Sequence, residues 1–242
     1  MRPSELEGCF TGAFAYLGEA VRRDADEAGL AGSALLDGAT LDALLLRFAE
    51  RHPGGERRAL VSMWSQWHFA AVVVPAVAAI LLAGRALPVA LSEARFALHE
   101  DGRTAAILLG PAVELAPAGN RGRFDALIEG HVAPLIRLLA THFPVSARLM
   151  WTNAAVRFAW AVQQCAERPE ADREAIAEAE ELLTTVLTPA GVRNPLHDTL
   201  RPSPLTAIAE CQRRVCCLRY LLPGVVDCGS LCPLPPARRA QA

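Results

Sequence analysis

ALVSMWSQWHFAAVVVPAVAAILLAG, residues 59 to 84, carries no formally charged side chain, and Arg flanks it on both sides. Its length is enough to cross a bilayer, which takes about 20 residues. Its first half, however, holds Ser62, Ser65, Gln66 and His68, and Pro75 interrupts it. The purely apolar run from Phe69 to Ala83 has 15 residues, short for a span. The stretch therefore reads as a buried core helix, kinked or broken near Pro75. A fold organised around such a helix is helical.

The flanking sequence agrees. Leu6, Phe10, Phe14, Leu17 and Val21 recur at helical spacing, so Ser4 to Ala28 reads as an amphipathic helix. Ser4 and Glu7 have capping-box spacing, and Gly29 suits a C-terminal stop. Thr40 to His52 reads as a second helix, opened by Thr40 or Asp42. Beyond the apolar stretch the period changes. Short apolar runs on either side of EDGR predict a β-hairpin with strands near 89–98 and 104–109. Helical periods return at about 124–142, 146–168 and 171–188, and a last helix is expected near 205–218. No βαβ alternation and no GxGxxG occurs, which argues against a dinucleotide-binding domain. The fold class is mainly α: one multi-helical domain over residues 1–242 with one small β-hairpin and, within it, a C-terminal cysteine-rich segment at 205–236.

Composition narrows the function. The chain is 52% hydrophobic and its net charge is −2, so no basic field points to nucleic acid. All 24 cationic residues are Arg. Without Lys there is no P-loop amine and no Schiff base. The N-terminus MRPSELEGCF has acids where a signal peptide is basic, and no apolar h-region follows. A cytoplasmic chain is expected, with the apolar stretch leaving room for peripheral association with the inner face of the membrane. In that compartment clustered cysteines signal metal or redox chemistry.

Four of the seven cysteines fall in CCLRYLLPGVVDCGSLC, residues 216–232. Cys216, Cys217, Cys228 and Cys232 are spaced C-C-x10-C-x3-C. Four thiolates with no nearby His fit either tetrahedral zinc or an iron–sulfur cluster. Arg213, Arg214 and Arg219 lie close in sequence and suit the negative charge of a [2Fe–2S] core, as tuning or docking residues. Pro223–Gly224 is a turn signal that folds the spacer back. Elsewhere Trp64, Trp67 and His68 share one helical face and read as a core aromatic patch. Asn153 reads as a cap or turn residue, and Arg157 as a surface charge. Glu174, Glu178 and Glu181 read as a solvated stripe. Cys165 reads as core, and Cys9 and Cys211 receive no role.

CCLRYLLPGVVDCGSLCPL resembles the C-terminal motif of the FhuF-type ferric-siderophore reductases, which bind a [2Fe–2S] cluster through C-C-x10-C-x2-C. SMWSQWHFA (62–70) and LMWTNAAVRFAWAV (149–162) are similar to weaker patterns of that family. The resemblance implies that Cys216, Cys217, Cys228 and Cys232 are the cluster ligands. The last pair departs from the pattern, C-x3-C in place of C-x2-C, which puts most weight on testing Cys232. It further implies an oxidoreductase of iron homeostasis: a one-electron reductase of ferric siderophores, hydroxamate type favoured, releasing Fe²⁺. With no flavin or nicotinamide motif, electrons come from a separate ferredoxin or flavoprotein. The competing reading is a siderophore- or partner-binding helical protein with a structural zinc site made of the same four thiolates.

Overall fold

The computed structural model describes residues 3–23, 29–111, 113–188, 191–202, 211–226 and 228–235. Strands β1 (Val21–Arg23) and β2 (Leu30–Ala31) precede helices α1 (Gly38–Glu50) and α2 (Arg57–Ala83). Strands β3 (Arg85–Ala86), β4 (Arg95–Leu98), β5 (Thr104–Leu109) and β6 (Ala116–Pro117) follow. Helix α3 (Asp125–Leu127), a π-helical turn (Ile128–Val132) and α4 (Ala133–His142) run on from one another. Then come α5 (Ala147–Ala166), α6 (Arg173–Thr184), β7 (Leu200–Pro202) and β8 (Cys211–Arg213). The mainly helical class holds, with more strand than one hairpin.

Helix α2 is the core element. Its most apolar window is 72% buried by the protein's own packing, chiefly against α5. Pro75 neither kinks it to a stop nor breaks it: the helix runs on to Ala83. Leu6, Phe10, Phe14, Leu17 and Val21 are all buried, as their spacing requires, but they do not lie on an α-helix. Two 3-10 turns (Ser4–Leu6, Gly12–Leu17) and β1 carry them instead. Gly8 (φ 87°) and Gly12 (φ 57°) adopt left-handed backbone that ends a helix. No side-chain cap closes the first turn, and residues 24–28 of the expected helix lie outside the described residues. Helix α1 opens at Asp37, which accepts from the Thr40 N–H at 2.8 Å. The hairpin forms as β4 and β5, and β1 joins it in parallel, giving the order β1-β5-β4-β2. In the hairpin turn Gly102 has φ 79°, and an added Cβ would lie 2.5 Å from the Leu44 carbonyl oxygen. Of the helix expected near 205–218, residues 205–210 lie outside the described residues; residues 211–213 are strand, paired antiparallel to β7. A strand is what a ladder with Leu200–Pro202 can satisfy there.

The His68 side of α2 holds a buried polar chain. His131, on the π-helical turn, hydrogen-bonds the Val89 carbonyl through Nδ1 at 2.6 Å. A carbonyl only accepts, so His131 Nδ1 bears the hydrogen and its Nε2 is bare. His68 Nε2–H therefore donates to it, at 2.8 Å, and His68 Nδ1 accepts from the Thr104 hydroxyl at 2.7 Å. Trp64 stacks on His68 at 5.1 Å, so the core reading holds for both. Trp67 does not join them: it is exposed and lies against Arg103, 4.8 Å from the guanidinium. Burial pulls the His131 imidazole down to about 4, the Val89 bond opposing, and pulls His68 well below its usual range. A depressed folded pKa means the unfolded chain binds more protons, so stability is complete above about pH 6.5 and falls between there and about pH 4. For His131 the loss is on the order of 3 kcal/mol. Urea unfolding across this window should show a shallower pH slope in His131→Asn, by about one proton. An unchanged slope would place that proton elsewhere.

Candidate metal centre

The cysteine segment is seated on a polar face of α2 and α5. Ser62, Ser65 and Gln66 are buried on α2, and Asn153 is buried on α5. Asn153 Nδ2 donates to the Ser65 hydroxyl at 2.9 Å and to Ser62 Oγ at 3.1 Å. Its Oδ1 accepts from Arg213 Nη1 at 2.6 Å, and Gln66 Oε1 accepts from Nη2 at 3.2 Å. The Ser62 hydroxyl in turn donates to the Cys217 carbonyl at 2.7 Å. Three polar side chains at i, i+3 and i+4 of an apolar helix thus receive one guanidinium and one cysteine backbone.

Arg213 is 1% exposed. Burial of a cation costs several kcal/mol unless it is compensated, and among the described residues no carboxylate pairs with it. Burial pulls its pKa below the usual range; the thiols of Cys217, Cys228 and Cys216 oppose that shift. Arg157 is half-buried, and burial likewise lowers it, with Arg213, Arg219, Tyr16 and Cys217 near enough to act on it. Among the described residues, the Nε–H groups of Arg157, Arg213 and Arg219 are buried without a hydrogen-bond partner. Three orphaned cationic donors around one set of thiols fit an anionic, acceptor-rich group.

Backbone turns gather the thiols. Strand β8 ends at Arg213, and Gln212 beside it accepts from Arg201 and donates to the Cys232 carbonyl at 2.8 Å. Leu218, at φ 62°, turns the chain just after Cys216–Cys217, and its N–H reaches Cys216 Sγ at 3.4 Å. A 3-10 turn (Arg219–Leu221) and Gly224 at φ 72° fold the spacer back. As a result Cys217 Sγ stands 3.7 Å from Cys228 Sγ. Two thiolates on one tetrahedral metal, with metal–sulfur bonds of about 2.3 Å, stand about 3.8 Å apart. Cys232 acts electrostatically on both Cys216 and Cys228. Hydrogen bonds from the Cys216 and Cys228 thiols lower Cys217 steeply, with Arg213 adding to the effect, and raise both donors. Among the described residues no three His, Cys, Asp or Glu side chains stand in single-ion geometry. Cys217 and Cys232 are buried, and Cys216 and Cys228 half-buried.

The remaining residues sort differently from their sequence reading. Asn153 is neither cap nor turn but the bridge between α2 and Arg213, and Arg157 is no free surface charge. Arg213 is too deeply buried to dock a partner. Arg214 is exposed and paired with Asp198. Glu178 is not merely solvated: it accepts from buried Arg123 at 2.6 Å, with Glu174 at 3.3 Å. Cys9 and Cys165 are buried in the core, where burial pushes the Cys165 thiol up to about 12; Cys211 is exposed.

Residues 62–206 match the family described as Ferric iron reductase FhuF-like transporter, and residues 213–234 match the FhuF 2Fe-2S C-terminal domain. A curated relative from Escherichia coli (strain K12), the Ferric siderophore reductase, is 30% identical over 182 residues, or 72% of this chain. The chain spans 65% of that relative's length. Among solved structures, aerobactin synthetase IucA from a hypervirulent pathotype of Klebsiella pneumoniae superposes with TM-score 0.52 at 13% identity, over 65% of this chain and 34% of that one. That likeness concerns the fold alone. A structural zinc site on four thiolates is not the chemistry of the matched domain; its cofactor is a [2Fe–2S] cluster, and the four-thiol donor set and orphaned guanidinium donors fit it. By its long match across the helical body and its second match over the cysteine segment, the chain belongs to the FhuF-like ferric iron reductase family.

Proposed function

We propose that the protein is a one-electron reductase of ferric siderophores, a single unit over residues 1–242 whose segment 205–236 carries the iron–sulfur group through Cys216, Cys217, Cys228 and Cys232. The observation that carries this reading is the seating of those thiols, by Arg213, on the polar face of the core helices. When bound, a [2Fe–2S] group exchanges one electron at a time. The chain's own work is electrostatic. Arg213, Arg157 and Arg219 oppose the negative charge that reduction adds, and Ser62, Asn153 and Gln66 hold Arg213 rigidly in place. Leu222, 1% exposed, and half-buried Leu221 and Tyr220 form an apolar stretch of the spacer suited to keeping water from the group.

The substrate follows from ligand hardness. Hard oxygen donors such as hydroxamates hold Fe³⁺ tightly and Fe²⁺ weakly. One electron converts the bound Fe³⁺ to Fe²⁺, the iron leaves, and the freed hydroxamates take up protons. The electron is restored by a ferredoxin or flavoprotein. Thiols that must stay reduced until they take up iron favour the cytoplasmic side of the membrane. The test is a single turnover. Reduced protein mixed anaerobically with a ferric trihydroxamate and a ferrous trap such as ferrozine should be reoxidised while about one Fe²⁺ per chain is trapped. Reduced protein that persists unchanged beside several classes of ferric siderophore, with the trap present, would overturn the reading.

A further inference from the structure

The cysteine segment forms one wall of a groove whose cavity volume is about 710 Å³, within the range of small-molecule sites. The other walls come from the outer face of α5, from α6 and from the N-terminal 3-10 turn. Three features bear on its use. The first is aromatic: Trp160 is held edge-on by buried Phe14 at 5.4 Å, and Tyr16, 64% exposed, lies 6.2 Å from the same ring. One ring is thereby fixed and the other stands exposed beside it, which offers a flat molecule two aromatic faces. The second is the loop between Cys228 and Cys232. Its 3-10 turn, Gly229–Leu231, contains the residue by which C-x3-C exceeds C-x2-C, and it presents Ser230 and Leu231 to the groove. The chain between two cysteines is thus itself the groove wall, which leaves a short path for an electron. The third is charge. Among the described residues Arg157 and Glu180 are the charged ones that line the groove, and their formal charges cancel. Arg157 also stands near enough to Cys217 to act on it electrostatically.

We infer that this groove seats the ferric siderophore, with Trp160 and Leu231 as its main contacts, Tyr16 as the second aromatic face, and Arg157 spanning from the ligand to the thiols. The inference rests on the reductase reading and adds to it the place of docking and the residues that set specificity. Charge selects the occupant. Three monoanionic hydroxamates around Fe³⁺ give a neutral complex, which suits a groove with apolar walls whose described charges cancel. Three dianionic catecholates give a complex of charge 3−, which the negative cluster behind the wall repels. In the seated complex Fe³⁺ gains the electron that the cluster loses, and the donor already named, a ferredoxin or flavoprotein, replaces it.

Binding is separated from reduction by using gallium, which takes the place of Fe³⁺ but is not reduced. Calorimetric titration of the cluster-loaded protein with the gallium complex of desferrichrome, a neutral trihydroxamate, should give one site per chain. Trp160→Ala and Leu231→Glu should each weaken it at least tenfold with the visible spectrum of the cluster unchanged. Leu46→Ala, an exposed side chain on α1 that does not line the groove, should not alter it. A gallium tricatecholate should bind at least tenfold more weakly than the trihydroxamate. Leu231→Glu serves as the second variant should Trp160→Ala disturb packing, since Leu231 lies on a loop. Absence of binding to wild type, wild-type affinity in both groove variants, or equal affinity for the two gallium complexes would overturn the inference. The reductase reading is judged apart from it. Ferric trihydroxamate reduced at the wild-type rate by both groove variants leaves that reading standing and the groove refuted. Gallium binding that behaves as described, with no reduction of the ferric complex, has the opposite meaning.

Discussion

Replacing Cys217 by Ser is expected to cut the iron content from about two per chain to below roughly 0.2 and to abolish the visible absorbance. Replacing Cys228 should do the same. These two thiols already stand 3.7 Å apart, each at the end of a chain turn that holds its backbone. The Cys217 carbonyl is fixed by Ser62, so the residue cannot swing away to be replaced by a neighbour. A hydroxyl at either place is a far weaker ligand for iron than a thiolate, because it does not ionise near neutral pH. Cys9→Ser and Cys165→Ser should keep the wild-type spectrum, since both thiols are buried in the core, and the groups that act on Cys165 are Arg168, Cys9 and Glu170 rather than the clustered thiols. Cys232 is the informative case. Its backbone is held by Gln212 and it acts on Cys216 and Cys228, so Cys232→Ser should also lose its iron. Iron and sulfide assays on anaerobically purified variants check all of these. A Cys232→Ser protein with an intact spectrum would point to exposed Cys211 as the fourth thiol, and an intact Cys228→Ser protein would refute the ligand set.

The cysteine spacing and the long apolar helix were legible because each is a local pattern. Thiols within 17 residues can meet only through local turns, and a long uncharged run must be buried somewhere. The buried set of the N-terminal segment was legible too, but its conformation was not, because Gly8 and Gly12 end an α-helix where the apolar period alone extends it. The parallel pairing of β1 with β5 joins residues 86 apart, Val21 with Ile107, through a β1 of only three residues with no period of its own. Strand β8 was hidden for a related reason: its partner β7 decides it, not its composition. The site's receiving face was visible but misread. Ser62, Ser65 and Gln66 served as an argument against a membrane span, when their common helical face was the sign of a polar partner. Asn153 and Arg157, four apart in an apolar helix, gave the matching sign on α5. Which buried polar groups meet is settled over 147 residues for Gln66 and Arg213, and no local pattern carries that information.

Arg213→Met is expected to lower the reduction potential of the bound cluster by roughly 90–170 mV and to destabilise the protein by about 3–5 kcal/mol. Both effects come from one group. Reduction adds a negative charge beside a guanidinium that is 1% exposed and therefore little screened by salt. A full charge at close range in an effective dielectric of about 20 is worth about 2–4 kcal/mol, and the one-electron equivalence is about 59 mV per 1.4 kcal/mol. The cation stabilises the reduced state more than the oxidised, so its loss lowers the potential. The stability loss has a separate origin: Asn153 Oδ1 and Gln66 Oε1 keep their burial but lose their donor, and the thiols lose a compensating charge. Arg213→Lys separates the two. It keeps the charge, so its potential should stay near wild type, but a single ammonium cannot hold both acceptors as the planar fork does, so part of the stability loss should remain. Arg214→Gln is the contrast, because that side chain is exposed and already paired with Asp198; its potential should move by less than about 20 mV. Redox titration followed in the visible, beside thermal unfolding followed by helix circular dichroism, measures both quantities on the same samples. An Arg213→Met protein within about 20 mV of wild type would show that its charge is cancelled by something other than the cluster.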